Sequence, residues 1–155
     1  MKLRLRSRRG SAITETGPAL FVLLLLIFFP LIDLLGIAAN YCFCFLMHNA
    51  ELREIALRRP IAADASQGIQ RVDNEFTRTA FANFLKLSSS DVTHVGPTWV
   101  THPDNSMTVQ LQTRVVCEPF LRIPFFVAIP GLSADMPFTF STTRPQEELG
   151  RDPGI

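Results

Sequence analysis

The chain has 155 residues, with 15 Lys and Arg against 14 Asp and Glu, a formal net charge of +1 and 47% apolar residues. That balance is a sum of two unlike parts: positions 1–10 hold Lys2, Arg4, Arg6, Arg8 and Arg9 and no acid, so the rest is mildly acidic. A basic nucleic-acid-binding face is thereby excluded for the body of the chain, because counterion release needs clustered cations.

Pro18 to Met47 follows as a 30-residue stretch whose one formal charge is Asp33. A removable secretory signal has an apolar region of roughly 7–15 residues, so this run reads as a membrane-spanning helix. At 1.5 Å per residue it would extend about 45 Å against roughly 30 Å of hydrocarbon, and one end should project. The basic residues ahead of it should remain in the cytoplasm, placing everything after Met47 on the far side. Pro30 predicts a kink. Asp33 is expected either in the outer half of the bilayer, facing protein or water, or at the far interface, since an acid at membrane depth costs roughly 2.5–3.5 kcal/mol.

From His48 to Arg59 the pattern is an amphipathic helix with Leu52, Ile55 and Ala56 on its apolar side, stopped by Pro60. The helix should therefore run unbroken over residues 11–59. Residues 61–67 read as a connection in which Ser66 could cap a second amphipathic helix, expected from Gly68 to Leu87. The period then changes to two. Val92 to His102 and Met107 to Cys117 are strand candidates joined by Pro103-Asp104-Asn105-Ser106, with Met107, Val109, Leu111, Thr113 and Val115 on one face of the second. Pro119 to Pro137 is a proline-rich apolar loop, Met136 to Thr143 a closing strand, and residues 145–155 a mobile tail. The predicted class is α+β: residues 1–10 a cytoplasmic leader, 11–59 the membrane-spanning and protruding helix, and 60–144 a small domain in which a helix packs on a short antiparallel sheet.

No catalytic constellation emerges. His48, His94 and His102 lack zinc-site spacing, and no Gly-x-Ser-x-Gly or phosphate loop is present. His94 and His102 read as solvated strand residues, Cys42 and Cys44 as small hydrophobes, and a disulfide from Cys117 to either is not expected. No metal or cofactor is implied, and no enzyme.

The specific signal is Arg8-Arg9-Gly10-Ser11-Ala12-Ile13-Thr14-Glu15 directly before the apolar run. A glycine after basic residues with an acid five positions later resembles the processing site of type IV pilin-like proteins, where a prepilin peptidase cuts after the glycine. Glycine suits extended backbone entering a protease cleft. The succession of that site, Leu23-Leu24-Leu25-Leu26-Ile27-Phe28-Phe29-Pro30, Asp33-Leu34-Leu35-Gly36 and the polar helix Asn49 to Ala56 is similar to the TadE-like minor pseudopilins of bacterial tight-adherence (Tad/Flp) type IV pilus systems. The similarity extends over residues 8–59. It implies cleavage between Gly10 and Ser11, assembly roles for Glu15 and Asp33, and inner-membrane insertion with a periplasmic domain, the protein residing in the membrane or in the pilus. The implied partners are pilin or pseudopilin subunits, the peptidase, inner-membrane assembly proteins and lipid. Glu15 would pair with the new α-amino group of a neighbouring subunit. An unprocessed single-pass scaffold of a pilus or secretion machine is the alternative.

Overall fold

The computed structural model describes residues 11–121, 128–131 and 133–147, without the side chains of residues 11–15 and Ser89. One helical rod runs from Ser11 to Ala56: α1 (Ser11–Leu23), a π-helical segment (Leu24–Phe28) and α2 (Phe29–Ala56). Proline lacks the amide its turn needs, and its ring presses on the carbonyl four residues earlier; the wider π turn lies immediately before Pro30, where that crowding has to be relieved. The rod thus contains the proline without ending, and the irregularity just ahead of it is a π-helical segment.

The rod stops at Ala56, three residues short of the predicted end, with Leu57 as C-cap. Pro60 cannot continue it, and its terminal groups find partners elsewhere: Glu147 donates its backbone N–H to Ala56 O at 3.1 Å, and Gln146 Nε2 donates to Arg58 O at 2.8 Å. The segment predicted as a mobile tail from residue 145 is therefore held through Glu147.

The next helix, α3 (Ala62–Thr77), begins six residues before the predicted Gly68, and Ser66 lies inside it. Ala62, Ala63 and Ala65 are strong helix formers and Asp64 favours the positive N-terminal end, a local preference that outweighs the reading of 61–67 as a connection. The predicted single helix to Leu87 is instead two. Thr79 is extended (φ −69°, ψ 149°), and its hydroxyl accepts the Ala82 N–H at 3.1 Å, capping the short α4 (Ala80–Phe84). After a 3-10 turn (Ser89–Asp91) come β1 (Val92–Thr101), β2 (Met107–Cys117) and β3 (Met136–Pro145), an antiparallel sheet with β2 central.

The alternation predicted for β2 holds: Val109, Leu111, Thr113, Val115 and Cys117 are buried and Gln110, Gln112 and Arg114 exposed. Register pairs His94 with Thr113 and Thr113 with Phe140, so one inward row crosses all three strands. A bulge between Val95 and Thr98 interrupts β1.

The rod is also part of the domain. Residues 33–56 of α2 form the centre of the domain, with α3 on one side and β2 and β3 on another. Cys44, Met47, Val72, Ala82, Val115 and Phe140 make one apolar cluster, and Leu52, Ile55, Ala65, Ile69, Val109 and Leu111 a second. Each fully buried side chain of Ile55 or Leu111 size contributes about 1.5–3 kcal/mol. Cys44 and Cys117, both free thiols, meet in the first cluster.

Candidate functional site

Two features of α2 stand out, and both follow from its side chains being sorted against expectation. Toward the domain it turns Asp33, Gly36, Asn40, Cys44, His48 and Glu51, all buried and mostly polar, at spacings of three or four residues. Away from the domain it turns Leu31, Leu34, Leu35 and Leu46, all exposed, with Leu35 72% and Leu46 60% accessible, while Tyr41 and Phe45, also exposed, lie against Phe138 and Phe140 of β3. Upstream, Leu20 to Phe28 are exposed all round. A soluble amphipathic helix does the reverse. Thr16–Ala56 is, by length and composition, the one helix among the described residues able to cross a membrane.

Of the residues singled out in the sequence, Gly10 lies outside the described residues. Ser11 opens α1 and Glu15 sits one turn into it. Asp33 is fully buried, and its Oδ1 accepts the Leu121 N–H at 2.7 Å. It faces protein and fastens the strand-β2 exit to the rod. One turn on, the Phe120 ring covers Gly36 so closely that a Cβ there would overlap it. The rod and domain are latched at this level, and Glu15 and Asp33 are not brought together: eighteen residues of helix, about 27 Å, separate them.

The second feature is a polar cluster at the opposite end of the domain. Thr113, the polar member of the inward row of β2, donates its hydroxyl to Glu51 Oε2 at 2.8 Å; His48 Nδ1 lies 2.9 Å from the same hydroxyl oxygen, and His48 Nε2 is 2.6 Å from Thr142 Oγ1. Glu51 Oε1 is 3.3 Å from His94 Nε2, which is 3.7 Å from Asp73 Oδ1. Glu51 is wholly buried, while His94 and Asp73 side chains are each 16% accessible. A groove of about 570 Å³, walled by Ser66, Gln70, Gly96 and Pro97 among others, reaches the latter two.

Electrostatics follow from that packing. Burial would raise the Glu51 carboxyl, but neighbouring His94, Asp73 and Thr113 outweigh it and hold the group below its ordinary value. Burial, reinforced by Glu51, pushes Asp73 up to about 7. Burial alone would lower His94, yet the two carboxylates raise it. His48 is lowered, chiefly by burial.

These directions fix a pH dependence for the chain kept in chelator. Asp73 contributes stability that is complete below 3.8 and lost as pH rises toward about 7. His48, lowered, loses stability as pH falls below 6.5; Glu51 does so only below 4.5, and His94 only as pH rises above 6.5. Asp73→Asn mimics the protonated acid and removes the first effect together with the Asp73 share of the His94 shift. Thermal unfolding of the detergent-solubilised variant should improve relative to wild type between pH 4.5 and 7.5, by about 1–2 kcal/mol once partial exposure is discounted. A difference independent of pH would contradict the shift.

The cluster was missed in the sequence because its members stand 22 and 21 residues apart, but signals existed. Glu51 continues the inward stripe of α2, and His94 lies two positions from inward Val92. His94 is accordingly not the solvated strand residue predicted. His102 is exposed just past the end of β1, 3.1 Å from Thr108 Oγ1.

No protein-family model, curated protein or solved structure matches the chain.

Proposed function

We propose that the chain is a TadE-like minor pseudopilin that acts in assembly of a tight-adherence type IV pilus, inserted in the bacterial inner membrane through its N-terminal helix after cleavage between Gly10 and Ser11. The observation that carries this reading is the apolar outer face of the rod. It continues from Leu20 to Leu46, about 40 Å of helix, whereas roughly 30 Å of hydrocarbon is available. The excess, alongside a folded domain, suits side-by-side packing with helices of pilin or pseudopilin subunits. Lipid covers the remainder before and during assembly. In this reading the basic leader stays cytoplasmic for the prepilin peptidase, the domain is periplasmic, and Asp33 serves assembly by setting the domain at a fixed height on the rod. The role of the protein is structural, with no catalysis and no nucleic acid.

The test is intact mass of the membrane-extracted protein from cells with an active prepilin peptidase. Loss of residues 1–10 is expected, and Gly10→Phe should leave the full-length form in the membrane. Residues 1–10 retained on the unmodified chain would favour the unprocessed scaffold and overturn the pseudopilin.

A further inference from the structure

We propose that Glu51, Asp73 and His94 form a site for one divalent cation of the borderline Zn²⁺ class. Glu51 Oε1, Asp73 Oδ1 and His94 Nε2 all lie within 4.8 Å of one another. Each of these three atoms is shielded from solvent, and each lacks a well-formed hydrogen bond. Buried polar atoms without a well-formed hydrogen bond are rare in folded proteins, and here three of them, from α2, α3 and β1, converge on one another.

The spacing suits a metal. Ligand atoms about 2.1 Å from a tetrahedral ion stand about 3.4 Å apart, between the two separations of 3.3 and 3.7 Å at His94 Nε2. One imidazole nitrogen with two carboxylate oxygens is a donor set for Zn²⁺ and its neighbours, whereas Mg²⁺ and Ca²⁺ prefer oxygen alone. Two carboxylates and a neutral histidine supply two negative charges, which a divalent ion neutralises. The support around the ligands is present as well. Thr113 binds Glu51 Oε2 and so aims Oε1 inward, and His48 braces Thr113 in turn. The groove at Asp73 and His94 gives an entry path and room for water as a fourth ligand. Because the three ligands come from three elements, an ion here ties α3 and β1 to the rod.

The proposal stands apart from the pseudopilin reading and is tested on the full chain in detergent after chelation. One equivalent of Zn²⁺ should raise the thermal midpoint by about 5 °C. One equivalent of Co²⁺ should give visible absorption of a four-coordinate N/O site. Asp73→Asn and His94→Gln should abolish both responses, and His102→Gln should leave both intact. A wild-type chain with no saturable response overturns the site, as does a response that survives in both variants. Where a variant fails to fold, the wild-type Co²⁺ spectrum still decides: thiolate charge-transfer bands would place the ion on cysteine and overturn the assignment.

Discussion

Glu51→Ala is expected to unfold the domain and leave the apolar helix in place. The substitution strips Thr113 of its acceptor, leaves His94 and Asp73 buried without their common neighbour, and opens a cavity at a position with no solvent access. Breaking a buried charged network in this way costs about 3–5 kcal/mol, against a total of about 5–15 kcal/mol for an ordinary domain. Limited proteolysis of the detergent-solubilised chain should then digest everything after α2 while the micelle protects residues upstream of Asp33. Glu51→Gln, which retains an oxygen for Thr113, should lose less than half as much. Wild-type protease resistance in Glu51→Ala would show that the cluster contributes little to the fold.

The second large effect concerns association. Leu46 is on the outer face of α2, so Leu46→Asp should change the monomer by no more than about 0.5 kcal/mol, as surface substitutions do. If neighbouring helices cover that face, the same carboxylate would be buried without a partner, at several kcal/mol, and each 1.4 kcal/mol is a factor of ten in the association constant. Incorporation into pili, and crosslinking between adjacent subunits, should fall at least tenfold while membrane levels hold. Glu15→Gln provides the complementary case: if the chain is the proposed pseudopilin, insertion and leader removal should persist, and assembly should drop through loss of a pair with a neighbour's α-amino group. Normal assembly in Leu46→Asp would free this face from any packing role.

Much of the fold could be read from local periodicity. The strand β2 states its own burial through Val109, Leu111 and Val115 alternating with Gln110, Gln112 and Arg114, because one face meets the core and the other water. Thr79 was less legible: as one residue in a run with helical apolar spacing it gives no warning that its hydroxyl will restart the helix. The packing of α2 into the domain was harder to read. Hydropathy assigns Asp33, Asn40 and Cys44 to the membrane because their neighbours are apolar, yet Leu34, Leu35 and Leu46 lie on the outer side while Asp33, Asn40 and Cys44 are buried. A linear average cannot separate two faces of one helix. The candidate site was illegible for a related reason: Glu51, Asp73 and His94 converge only through α3 packing on α2 and through the register of β1 with β2.

The absence of a joint between rod and domain has a mechanical meaning. Domains usually hang from their anchors by exposed linkers that permit rotation. Here the anchor itself passes through the centre of the head, latched at Asp33 and Gly36 near one end and filled by Ile55 and Ala56 at the other. The head is mounted on an axle and not on a tether. A turn of the helix about its own axis turns the sheet by the same angle, and tension along the helix is borne by the packed sides of α3, β2 and β3 together instead of peeling one strand from an edge.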